Sequence, residues 1–173
     1  DNTATDTTTI GALGSFAITK ELTSLVSIAP GGSGAPYRLV YRIVASNGGP
    51  SFIDNAVLAD ALGSANLDNS TANWTCVTLT NPAGGNTGCA AANGSGAPSL
   101  QVDLDPGGAV VMTVTVDTIA APSGPVNNTA TITGPGSSGS ASAQLSSSLS
   151  GQADLALEIT DFQTTAIPGD DTD

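Results

Sequence analysis

Residues 99–119 read SLQVDLDPGGAVVMTVTVDTI. Apolar and polar residues alternate in SLQVDLD and again in AVVMTVTVDTI, the period of a strand with one buried face. The DPGG between them is turn chemistry, because proline presets its own φ and glycine admits positive φ. The same grammar repeats in both directions along the chain. Strand-like runs lie at 16–22 (FAITKEL), 36–45 (PYRLVYRIVA), 55–62 (NAVLADAL), 73–79 (NWTCVTL) and 126–132 (VNNTATI). APGGSGAP, SNGGP, NPAGGNTG, NGSGAP and APSGP separate the runs and read as loops. No amphipathic helix longer than a turn or two is visible. Many short strands set off by Gly, Pro and Asn predict an all-β fold, an immunoglobulin-like antiparallel β-sandwich.

Composition narrows the function. With 10% charged and 39% apolar residues, the chain is too apolar and too sparsely charged for an ordinary disordered segment. Its 173 residues suffice for one domain with a real core. Lys20, Arg38 and Arg42 face fifteen acidic residues, for a net charge of −12. That balance argues against nucleic acid or an anionic membrane surface as partner, since both need a basic footprint. The longest apolar runs are strand-length, so nothing reads as a signal peptide or a membrane-inserted helix. Histidine is absent, which removes a Ser–His or Cys–His hydrolytic device. Few aromatic residues leave a glycosidase-type carboxylate pair little with which to grip a sugar.

Two cysteines in a Ser/Thr/Gly-rich, Lys-poor chain point to an oxidising, extracytoplasmic setting and a Cys76–Cys89 disulfide. Its loop of 13 residues makes the bridge worth about 3 kcal/mol. Two cysteines without histidine fall short of a tetrahedral zinc site.

The ends of the chain resemble each other: Ala4 aligns with Ala143, Ile10 with Leu149, Phe16 with Leu155, Ala17 with Ala156 and Ile18 with Leu157. Ordered self-similarity of this kind is how a tandem repeat looks. On this reading residues 1–14 are the last strand of a preceding repeat or a donor strand. Residues 15–151 form the sandwich module, and 152–173 begin the next repeat.

The order of short motifs is ITK (18–20), SNGGP (46–50), LADAL (58–62), Cys76…Cys89, LDPGGAVVMTVTV (104–116), NNTATITG (127–134), a Ser-rich strand and ADLALEIT (153–160). This order resembles domain of unknown function 11, the conserved repeat domain of large bacterial and archaeal surface proteins. The resemblance implies an Ig-like sandwich, tandem arrangement and a cell-surface role without catalysis. At the second copy the chain departs from the pattern, with Ile159 where the family carries the ITK lysine.

Strand parity singles out one constellation. Phe16, Ile18, Lys20 and Leu22 share a face; so do Ala56, Leu58, Asp60 and Leu62, and Val126, Asn128, Ala130 and Ile132. A lone Lys, Asp and Asn therefore point toward a core from three strands. An unpaired buried ammonium costs several kcal/mol, so Lys20 needs a partner. Desolvation makes a lysine amine nucleophilic and keeps a carboxyl protonated. Protonated Asp60 then polarises the Asn128 amide for attack by Lys20, forming an isopeptide bond with loss of ammonia. Collagen-adhesin-like and pilin Ig modules, to which this chain is similar in strand order, are known for such cross-links. The alternatives are a plain Lys20–Asp60 ion pair with Asn128 hydrogen-bonded to it, or a Lys20 that snorkels to the sheet rim.

Other candidates are weaker. Asp103 and Asp105 share a strand face beside a Pro-Gly-Gly turn and are candidate Ca²⁺ ligands, as are Asp170, Asp171 and Asp173, but no calcium-loop pattern accompanies them and a solvated face is the better reading. Arg38 and Arg42 read as surface partners of acids, and Trp74 as packed on the disulfide. Asn69, Asn73, Asn93 and Asn127 begin N-x-Ser/Thr sequons. The function expected is a non-enzymatic structural module of an extracellular surface or fibre protein. It needs no cofactor and assembles with copies of itself or adjacent repeats. The alternative is an adhesive, carbohydrate- or Ca²⁺-binding module.

Overall fold

The computed structural model describes residues 14–28, 36–82, 84–120, 122–135 and 139–148. The expected strands of neighbouring repeats (1–13 and 152–173), Ile159 and the Asp170–Asp171–Asp173 cluster lie outside the described residues. Ten strands and no helix make up the described part: β1 (Phe16–Ser27), β2 (Tyr37–Asn47), β3 (Ile53–Asp60), β4 (Leu67–Thr80), β5 (Gly88–Cys89), β6 (Asn93–Ser95), β7 (Ser99–Leu104), β8 (Ala109–Thr118), β9 (Pro125–Thr133) and β10 (Ser140–Ser148).

The strands form two five-stranded sheets with orders β1-β2-β8-β4-β6 and β10-β9-β3-β7-β5. Every pairing is antiparallel. In chain order the first sheet holds the A-B-E-D strands of an immunoglobulin fold and the second its G-F-C strands, with β7 and β5 added outside C. Inward-facing residues of both sheets make one core, including Leu39, Tyr41, Ile43, Leu58, Leu104, Met112, Val114 and Ile132.

The chain passes between sheets where the turn chemistry allows. DPGG closes with a Gly108 N–H to Asp105 C=O bond of 2.8 Å, with Gly107 at φ 76°. Proline at the second and glycine at the third position is the pattern of a type II turn. It carries the chain from β7 in one sheet to β8 in the other. Asn47, in SNGGP, is buried and ties the neighbouring segments together. Its Nδ2 donates to Ser51 O (2.7 Å) and Leu104 O (3.1 Å), and its Oδ1 accepts from Ser15 N (3.2 Å) and Gly49 N (2.9 Å).

Two stretches read as loops carry short strands: Gly88–Cys89 within NPAGGNTG and its flank, and Asn93–Ser95 within NGSGAP. Glycine and asparagine are poor strand formers, yet a neighbour's free edge supplies hydrogen bonds whatever the side chain. Both strands end their sheets, whereas the opposite side carries the long edge strands β1 and β10.

Candidate functional site

Three strands bring Lys20, Asp60 and Asn128 together. On β1, Lys20 pairs with Ile43 of β2, which makes Tyr41 its diagonal neighbour on the same face. Lys20 Nζ lies 4.6 Å from the centroid of the Tyr41 ring, a cation–π distance. Phe16, Ile18 and Leu22 pack against the core from the same face of β1, as parity requires.

Asp60 reaches the interior because β3 carries a bulge. The register shifts between Ile53 and Ala56, and Asn55 adopts φ 56° with its N–H on Asp103 Oδ1 at 2.8 Å. Asparagine is among the few residues that take this left-handed conformation readily. Ile53 faces inward before the bulge; Ala56, Leu58 and Asp60 face inward after it. Without the extra residue Asp60 would point to solvent. On β9, Ala130 pairs with Asp60, so Asn128 is the diagonal neighbour, inward like Val126 and Ile132.

The side chains of Lys20 and Asp60 are both 0% exposed, with Lys20 Nζ 2.6 Å from Asp60 Oδ1. The other carboxylate oxygen, Oδ2, accepts from Asn128 Nδ2 at 3.1 Å. One carboxylate thus bridges the amine and the amide nitrogen, and Lys20 does not snorkel. Burial lowers the Lys20 amine below its ordinary range, and the Asp60 charge only partly restores it. Burial likewise raises Asp60, against the pull of Lys20 and Asn128. Both shifts move the pair toward a neutral amine beside a protonated carboxyl. Tyr41 is pushed up to about 12, chiefly by burial and then by the Asp60 charge.

Cys76 on β4 and Cys89 on β5 form the disulfide. Since β4 and β5 belong to different sheets, the bond ties the sandwich together near the edge opposite β1 and β10. Trp74 is inward like Cys76, beneath β6, where its ring fills the space a side chain at Gly94 would take.

The remaining candidates are accounted for by local bonds. Asp103 holds the Asn55 amide, while Asp105 accepts from the Asn86 amide at 2.5 Å and from Thr87 Oγ1 at 3.0 Å. No group of three metal-ligating side chains occurs among the described residues. Arg38 pairs at 2.8 Å with Asp117, which is buried, and Arg42 pairs at 3.2 Å with exposed Glu21. The sequon residues Asn69, Asn73, Asn93 and Asn127 are all exposed. Sequence reasoning missed Tyr41, although a phenol among inward aliphatic residues is itself a signal: its hydroxyl needs a partner when buried.

No family model and no curated protein matches the chain, so the resemblance to the conserved repeat domain stands on motif order alone. Among solved structures, the chain is similar to a serine-rich repeat protein (Srr2) from Streptococcus agalactiae, at 9% identity and TM-score 0.49, covering 86% of this chain and 50% of that one. It is also similar to the collagen-binding domain of a Staphylococcus aureus adhesin, at 12% identity and TM-score 0.31, covering 79% of this chain and 98% of that one. A third similarity is to a structure described as manganese lipoxygenase of Gaeumannomyces graminis with part of zonadhesin of Komagataella pastoris. There identity is 10% and TM-score 0.33, over 75% of this chain and 45% of that one. The chain spans half the length of the first of these. At such scores the likeness does not extend to function.

Proposed function

We propose that this chain is a structural module of an extracellular surface or fibre protein, its two sheets locked by a Lys20–Asn128 isopeptide bond. The observation that carries the reading is the buried bridge in which Asp60 touches Lys20 Nζ through one oxygen and Asn128 Nδ2 through the other. A buried Lys–Asp–Asn cluster is an expensive way to fill a core. It becomes intelligible if the charges are consumed: amine and amide combine, ammonia leaves, and a neutral amide remains. The bond would join β1 of one sheet to β9 of the other, while the disulfide joins the sheets near the opposite edge. A sandwich tied on both sides resists shear between its sheets, which suits a load-bearing surface element. The disulfide supports an oxidising compartment. The long edges of β1 and β10 offer hydrogen-bonding groups through which modules can join end to end.

Intact-mass measurement of the full chain tests this reading. After allowance for the disulfide hydrogens, the wild type should be lighter than its sequence mass by one ammonia, and Asp60→Ala should restore the full mass. A wild-type chain at full mass refutes the cross-link and leaves a plain buried ion pair.

A further inference from the structure

Two buried polar side-chain atoms lack a hydrogen-bond partner among the described residues: Tyr41 Oη–H and Asn128 Oδ1. One is a donor and the other an acceptor, and both belong to the Lys20 cluster. Orphaned buried polar atoms are rare and costly, so a pair in one site calls for an explanation. The placement of Asp60 supplies one. Its carboxylate lies on the nitrogen side of the Asn128 amide, 3.1 Å from Nδ2, leaving the carbonyl oxygen uncovered. Asp60 is thus placed to move protons between the two nitrogens and not to stabilise charge on Oδ1. The Tyr41 ring lies 4.6 Å from Lys20 Nζ in the same cluster, and its hydroxyl makes no hydrogen bond in the resting state.

We infer that Tyr41 is a catalytic residue of the cross-linking reaction, its hydroxyl donating to the oxyanion that develops on Asn128 Oδ1. The inference rests on the isopeptide reading above. Lys20 first passes a proton to Asp60 Oδ1, and the freed lone pair attacks Asn128 Cγ. The carbonyl pair moves onto Oδ1, where Tyr41 donates to it. Asp60 then gives its proton to Nδ2 and takes one from the Lys20 nitrogen. The Oδ1 pair re-forms the carbonyl, the Cγ–Nδ2 bond breaks, and ammonia departs. Donors aimed at the charge that appears only in the transition state are the most effective kind. A hydroxyl whose acidity is suppressed to about 12 stays protonated and able to donate throughout the physiological range. The ring beneath Lys20 Nζ also holds the nucleophile in place.

The test follows the full chain in pulse-labelled cell-free synthesis, reading the cross-linked fraction by intact mass against time. Tyr41→Phe keeps the ring and removes only the hydroxyl. It should slow bond formation by about 100-fold, the scale for losing one oxyanion donor. Incorporating 3-fluorotyrosine, a stronger hydrogen-bond donor, into a Tyr37→Phe chain should speed the reaction, an effect that a packing role for Tyr41 would not produce. If Tyr41→Phe does not fold, the fluorotyrosine arm decides. Cross-linking of Tyr41→Phe within a few-fold of wild type, or no response to fluorination, overturns the role of Tyr41 and leaves the cross-link intact. A wild type that never loses ammonia overturns both.

Discussion

Replacing Asp60 with asparagine keeps the shape of the side chain and removes the only charge among the described residues that faces Lys20 at ion-pair distance. The Lys20 side chain is 0% exposed, so its ammonium is left in the core without compensation. Relative to the chain before cross-linking, removing one partner of a buried pair costs about 3–5 kcal/mol, and the loss of the cross-link adds to it. Lys20 can escape by shedding its proton. From an unfolded-state value of 10.5, deprotonation at neutral pH costs about 5 kcal/mol. That figure caps the cost of the lost partner near the top of the same range. It also sets the pH dependence. The unfolded variant keeps the Lys20 proton up to its ordinary range, while the folded variant, its amine lowered by burial, does not. The unfolded state therefore binds more protons, and stability must rise with pH by up to about 1.4 kcal/mol per unit. The gain ends as pH passes 10.5, where both states are neutral. Urea denaturation of Asp60→Asn between about pH 7 and about pH 10 measures the slope. Lys20→Met in the same background should flatten it. A flat profile in Asp60→Asn itself, with a loss below about 1 kcal/mol, would refute the reasoning, because Lys20 would then reach water.

Replacing both Cys76 and Cys89 with alanine should cost about 3 kcal/mol for the loop of 13 residues, read as a lower urea midpoint. Alkylation of the folded wild type without reduction should label neither cysteine, and labelling of both would overturn the bridge. Gly94→Ala should lose about 1–3 kcal/mol, because the new Cβ would fall on the Trp74 ring and the edge pairing of β4 with β6 would have to open. Trp74 is the single tryptophan, so its emission reports the change; an unaltered spectrum and midpoint would count against the packing described.

Period-two alternation was enough to read seven of the strands, their inward faces and the meeting of Lys20, Asp60 and Asn128, because a strand's side chains take opposite sides whatever its partners are. Beginning the third run at Asn55 put Asp60 on the correct face, though the reason, a bulge held by Asn55 and Asp103, became visible only in the structure. Asp103 and Asp105 look alike in sequence to calcium ligands, and it takes the neighbouring loops to show that their oxygens receive backbone amides. The DPGG turn is plain from its residues, yet nothing local says that β7 and β8 leave it for opposite sheets. Gly88–Cys89 and Asn93–Ser95 carry no strand signal of their own and become strands by docking on the free edges of β7 and β4. Tyr41 looked like one more inward residue until the fold set its ring under Lys20 and left its buried hydroxyl without a partner. Local sterics and hydropathy act within a few residues and are written in the chain. Pairing between distant strands uses backbone hydrogen bonds that every residue but proline offers alike, so only the packing of the two sheets decides which side chains meet.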